Sequence, residues 1–405
     1  MHPAVDLGSA GPLRSRIQEA VIPPILTPNL YIAVDGSDML MFRWLLCLNL
    51  LLMTSGNLLA ENPTFRTDGG DEKLPWYQVK LDEFPPAMSA HAIAGELIHV
   101  DHIKRTGTIR MDRTGSQRTD DYDQPLNFEL LPYASLSNHG APCELADIPL
   151  GTHLHGHFYE ETRDGKHVFY WALRFEDDFS RLLANQRAWR VDSVDLGKQS
   201  LVVTGVHTTN NSSDPKPTTF QLSRATRVWK GREIASQKDV AAGQMVFINL
   251  TVCTLKGPGR CTDIWLDPAS RDTATTTQLE VHRLYQQEHG LACQVEAVDN
   301  KEKILTVNVF GGFDPSLREH FKIHHHIAIA VANQDLRTHD QINDCARGPI
   351  VEVLEATPGP GQSGLRLRIK PDILLEGFRP KKIVRIFGGA WRVDDLPREE
   401  RAYDG

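Results

Sequence analysis

The sequence predicts an all-β protein of three tandem small β-barrels with short plugging helices, preceded by a disordered N-terminal leader. Three observations predict it. A hairpin pattern ending in aspartate occurs three times, at Asp101, Asp195 and Asp299. A four-residue step from aspartate to glycine occurs at Asp147–Gly151 and again at Asp239–Gly243, each just before an alternating strand. With 40% hydrophobic residues, 24% charged residues and 24 prolines in 405 residues, the composition suits a globular chain with frequent turns rather than a helical bundle.

From the N-terminus, residues 1–38 carry Pro23, Pro24 and Pro28, which discourage a stable helix, and are expected to be disordered. Residues 39–60 read as a signal peptide. Arg43 gives a short positive start, Trp44 to Met53 is an apolar run, and the segment ends on small Ala60. That run is far shorter than the ~20 residues a membrane span needs, so no transmembrane span is expected after cleavage. A signal this far into the chain implies a start codon assigned too early, with Met39 or Met41 as the true start. Periplasmic or secreted localisation follows from that reading. Residues 61–87, ending in Phe84-Pro85-Pro86, read as a linker or edge segment.

Barrel 1 is expected over 88–190, barrel 2 over 191–290, a divergent barrel 3 over 291–395, and a tail over 396–405. Leu97 to Asp101 followed by Thr108 to Met111 alternates as a hairpin should. Val191 to Asp195 before Leu201, and Val295 to Asp299 before Ile304, repeat the pattern. The aspartates stand 94 and 104 positions apart, a spacing of tandem domains rather than of a solenoid. In the Asp-to-Gly step the aspartate caps local amides and the glycine tolerates positive φ, launching a strand. In the third unit Asp372–Gly377 matches this step only loosely. Helical periodicity near 177–188 and 278–288 supplies the plugs.

The aspartate-ended hairpin and the Asp-x-x-x-Gly strand start together resemble the OB-like β-barrel domains of exported bacterial proteins, many of them uncharacterised. The resemblance covers about 95–310 and, more loosely, 311–395. It implies small closed barrels, and, because some periplasmic OB-like barrels bind copper, it points to copper here. Their methionine and tryptophan ligand pattern is not matched in this chain.

The sharpest candidate site is Thr152-His153-Leu154-His155-Gly156-His157. Alternate residues of a strand share a face, so His153, His155 and His157 line up at about 6.6–7 Å spacing. With a ligand from a neighbouring strand such as His139, the row would hold copper or zinc. The competing reading is a solvated strand face, with Leu154 and Phe158 packed inward. In His324-His325-His326, His325 shares a face with Ile327, Ile329 and Val331, so at least one imidazole is expected in an apolar environment. Cys253 and Cys261 bracket a turn-forming Lys256-Gly257-Pro258-Gly259 stretch, which would let them pair as a disulfide in an oxidising compartment. The acidic runs Asp120-Asp121-Tyr122-Asp123 and Glu176-Asp177-Asp178 lack the Gly and Glu positions of a calcium loop. Trp171, Trp189, Trp229, Trp265 and Trp391 are expected mainly in the cores.

The sequence has no Gly-x-Ser-x-Gly elbow, His-Glu-x-x-His helix, phosphate-cradling loop or CxxC pair. A net charge of −8 disfavours nucleic acid as a partner. These features favour an exported, non-enzymatic binding or scaffold protein, with another envelope protein or a polysaccharide as partner. The alternative is a periplasmic copper- or zinc-binding protein using the His153/His155/His157 strand. An enzyme acting on envelope polysaccharide ranks third.

Overall fold

The computed structural model describes residues 76–112, 125–163, 167–210, 212–214, 216–251 and 259–402. The leader, the signal segment, the first part of the 61–87 stretch, the 120–123 acidic run and Cys253 lie outside the described residues.

Barrel 1 comprises β1 (His91–Asp101), β2 (Thr106–Met111), β3 (Pro125–Asn138), β4 (Ala141–Cys143), β5 (His153–Arg163) and β6 (His167–Asp177). Five of these close in the cyclic order β2-β1-β5-β6-β3, and β4 adds a short hairpin to β3. All its pairings are antiparallel except β3 with β6. Leu97, Ile109, Leu154, Phe158 and Phe175 fill the interior with no exposure.

After α1 (Asp178–Ala184), barrel 2 comprises β7 (Arg187–Asp195), β8 (Ser200–His207), β9 (Thr218–Gln221), β10 (Arg227–Lys230), β11 (Glu233–Ala235), β12 (Met245–Leu250) and β13 (Cys261–Trp265). Its order, β11-β10-β13-β12-β7-β8-β9, repeats the plan of barrel 1, with the parallel contact now between β10 and β13.

Helix α2 (Pro268–His289) leads into barrel 3: β14 (Leu291–Asp299), β15 (Ile304–Phe310), β16 (His326–Ala332), β17 (Cys345–Glu355), β18 (Gln362–Ile369) and β19 (Ile383–Phe387). This barrel closes with six antiparallel strands in the order β14-β15-β18-β17-β16-β19. The chain is therefore all-β in three small barrels, and the third is wound differently. Among the described residues no helix is long and apolar enough to cross a membrane.

The repeated hairpin is the same object in each barrel. Asp101, Asp195 and Asp299 each accept a backbone amide from the following turn, from Lys104, Lys198 and Glu302 respectively. Four residues after each aspartate stands a residue of positive φ: Arg105 at 55°, Gln199 at 51° and Lys303 at 54°. Each first strand also bulges at one place, between Leu97 and His99, Val191 and Ser193, and Val295 and Ala297.

The Asp-to-Gly step adopts the anticipated geometry. Asp147 and Asp239 end short 3-10 turns and close capping boxes with Glu144 and Ser236. Gly151 and Gly243 follow at φ 90° and 86°, and their amides donate to Leu97 and Val191 of the first strands at 2.7 and 2.8 Å. In barrel 3 the matching bond runs from Lys381, φ 71°, to Val295 at 2.7 Å. The strand start sits there rather than at Gly377, and a lysine takes the left-handed conformation.

Two connecting pieces differ from expectation. α2 spans 22 residues, started by an Asp267 side chain that accepts from Ser270 and by Pro268 at the first helical turn. Its buried face is Ser270, Gln278, His282, Gln286 and His289, a polar seam lying between barrels rather than an apolar plug. Residues 76–87 pack as a strap. Phe84 lies against Tyr133 of barrel 1 and Phe310 of barrel 3, the Asp82 carbonyl accepts from Gln294, and Lys381 pairs with Glu83.

Candidate metal centre

β5 begins two residues after the Gly151 turn, which fixes its register on β1: His153 opposite Glu96 and His155 opposite Ala94. Leu154, Gly156 and Phe158 face the barrel interior, so the histidines lie on the other face. That face is not simply solvated. His153 is 2% exposed because the start of α1 covers it.

α1 starts where β6 ends. Asp177 caps it by accepting from Ser180, and Asp178 is its first residue, directed back across the β5 face. The His153 Nδ1 and His155 Nε2 atoms each lie 2.9 Å from Asp178 Oδ1. His153 Nε2 lies 2.9 Å from Asp112 Oδ2, at the end of β2. The two imidazoles meet edge to face, centroids 4.7 Å apart. His153 Nδ1, His155 Nε2 and Asp178 Oδ1 all fall within 4.8 Å of one another, a grouping able to hold a metal ion.

The electrostatics follow from burial. Burial alone would raise the Asp178 carboxyl, but the facing His153 and His155 imidazoles outweigh it and hold it well below the usual carboxylate range. Its Oδ2 accepts from the Leu250 amide of barrel 2 at 3.1 Å, which fixes the orientation of Oδ1. With carboxylates at both ring nitrogens, His153 can donate from both only as an imidazolium. Exchanging the Nδ1 proton for a metal leaves Nε2–H donating to Asp112. This is the carboxylate–histidine–metal arrangement that sets tautomer and ring orientation in metal sites. Zinc bonds of about 2.0–2.2 Å in tetrahedral geometry separate ligand atoms by about 3.3–3.6 Å. The contacts at 2.9 Å need to open only a few tenths of an ångström, and half-buried His155 can move to allow it.

The structure thus gathers two of the four anticipated ligands. His157 and His139 stand outside the cluster. A bulge in the β5–β6 pairing falls between His157 and Phe158, and His157 lines a separate cavity with Tyr159 and Arg174. His139 occupies the β3–β4 turn at φ 52°, its ring 5.7 Å from Phe179 and 4.9 Å from Trp265. Asp178 and Asp112 escaped the sequence reading because they come from a helix start and a strand end, with no shared period. The one available signal was the Glu176-Asp177-Asp178 run at a helix N-terminus.

The second histidine run is corrected. His324, His325 and His326 are all exposed: His324 sits in a turn at φ 70°, and β16 begins only at His326, so no imidazole enters the apolar interior. Cys261 is buried and free, and burial pushes its thiol up, while Cys253 lies outside the described residues. Trp171, Trp265 and Trp391 are buried.

Comparison with protein-family models, curated proteins and solved structures returned no match.

Proposed function

We propose that this chain is an exported binding protein that holds one divalent transition-metal ion, zinc or copper(II), through His153, His155 and Asp178. The observation that carries the reading is the convergence of three ligand atoms of suitable type, with Asp112 supporting His153 from behind. Two imidazoles and one carboxylate are nitrogen and oxygen donors, which suit zinc and copper(II) and lack the sulfur that copper(I) prefers. Three protein ligands leave a fourth position for water or a partner's side chain. Export rests on the polarity order of residues 39–60. A scaffold role fits alongside, since Asp178 also joins barrel 1 to the Leu250 amide of barrel 2.

The test is calorimetric titration of chelator-stripped, untagged protein with zinc and with copper(II). Wild type takes one equivalent, His153→Ala/His155→Ala takes none, and His139→Ala/His157→Ala binds as wild type. Equal uptake by wild type and the His153/His155 variant ends the proposal, as does no stoichiometric uptake by wild type.

A further inference from the structure

Apart from the metal cluster, the chemistry most in need of explanation is a pair of buried guanidinium groups. Arg105 and Arg385 are 8% and 6% exposed and line one cavity of about 320 Å³ walled by barrel 1, α2, barrel 3 and the C-terminal residues Leu396 and Glu400. Tyr285 and Glu144 share its wall. That volume lies at the lower end of the range for small-molecule sites.

Arg385 is held by carbonyls alone. Its Nε donates to Leu336, and its Nη1 donates to His289 and Gly290 at the C-terminal end of α2. No carboxylate pairs with it among the described residues. Arg105 is held less well. It makes one hydrogen bond, from Nη2 to the Leu131 carbonyl at 3.3 Å, its Nε has no partner, and the nearest carboxylate, Glu144, lies 3.7 Å away. Burial works against its charge. Elsewhere in the cavity wall Glu400 pairs with His289 at 2.7 Å and Asp335 with Arg337 at 3.2 Å, while the exposed Glu288 lies 3.9 Å from His289.

The repeats show that the fold does not require this arrangement. Arg105 occupies the positive-φ turn position that holds Gln199 in barrel 2 and Lys303 in barrel 3, and both of those are exposed. Barrel 1 alone turns a cation inward there. A buried, under-satisfied guanidinium is costly unless an anion completes it, and a planar oxyanion matches its fork.

The geometry points to this cavity as the binding site of a small organic or inorganic oxyanion, a carboxylate or a phosphate, received by Arg105 and the second cation Arg385, with Tyr285 at its side. Glu144 competes with the ligand for Arg105. The site is independent of the metal centre.

Metal-stripped protein is titrated calorimetrically with succinate and, separately, with inorganic phosphate at constant ionic strength, chloride serving as the blank. One of the two binds, and which one assigns the ligand's head group. Arg105→Met loses roughly tenfold or more in affinity, whereas Lys303→Met binds as wild type. Glu144→Gln, which keeps shape and removes the competitor, binds more tightly by several-fold and keeps the question open to decision should Arg105→Met fail to fold. Binding of neither anion above the chloride blank overturns the inference. So does wild-type affinity in Arg105→Met, or weakened affinity in Glu144→Gln.

Discussion

Barrels 1 and 2 share their opening hairpin, their bulge, their capped turn and their strand order, yet they differ at one end. Counted from the shared glycines Gly151 and Gly243, His153 and His155 correspond to Met245 and Phe247. Counted from the helix caps Asp177 and Asp267, Asp178 corresponds to Pro268, and counted from the hairpin turns, Asp112 corresponds to Val206. Four polar groups in one barrel answer to four apolar residues in the other. Val206 and Phe247 are 4% and 2% exposed, and with Met245 they pack around Phe179 and Trp265. The same backbone is thus stable with an apolar cluster, and burying one imidazole between two carboxylates with a second, half-buried one beside it is not something the barrel needs. This departure from the repeated plan is what supports the proposed metal centre.

The sharpest way to break this comparison is to give barrel 1 the residues of barrel 2. Asp112→Val/His153→Met/His155→Phe/Asp178→Pro is expected to abolish zinc uptake in calorimetry while the circular dichroism spectrum stays that of the folded protein, because apolar replacement of the whole buried ionic network leaves no carboxylate of it unpaired and is often neutral or stabilising. Stoichiometric zinc in that variant would remove Asp112, His153, His155 and Asp178 from the site. The two helix starts offer a second contrast. Asp267 accepts only from Ser270 among the described contacts, whereas fully buried Asp177 accepts from Ser180, His139 and Asn249. Asp177→Ala is expected to cost about 3 kcal/mol in denaturant unfolding and Asp267→Ala about 1 kcal/mol; equal losses would show that the joint between barrels 1 and 2 contributes nothing through Asp177.

Asp112→Asn tests the supporting shell. It is expected to keep one metal equivalent and weaken binding by roughly 10–100-fold, and unchanged affinity would remove Asp112 from the centre. The smallest effects lie at the launching turns. Gly151→Ala and Gly243→Ala force an L-residue into positive φ and are expected to lower stability by about 1 kcal/mol each. Lys381→Gly in barrel 3 relieves the positive φ but also removes the half-exposed ion pair with Glu83, so a net change within about 0.5 kcal/mol is expected, measured by the same unfolding curves.

What could be read in advance was the chemistry that is local. The Asp101, Asp195 and Asp299 hairpins and the Gly151 and Gly243 turns each place their capping atom within four residues of its target. Lys381 was hidden because a lysine fills a glycine's position. α2 was placed too short because it buries glutamine and histidine, which leave no apolar stripe. The centre was half legible. The alternation of β5 put His153 and His155 on one face, but their meeting with Asp178 depends on a helix folding back over the strand, 25 residues from His153 along the chain.

The strap of residues 76–87 bears on how the molecule is assembled during synthesis. It leaves the ribosome before any barrel, yet beside Tyr133 of barrel 1 the groups that hold it are Gln294, Phe310 and Lys381 of the third barrel, and the Glu83–Lys381 pair spans 298 residues. Barrels 1 and 3 therefore cannot be clasped together until translation has nearly finished. In whichever compartment the chain folds, closure of the strap comes after the residues leading into β19 are available.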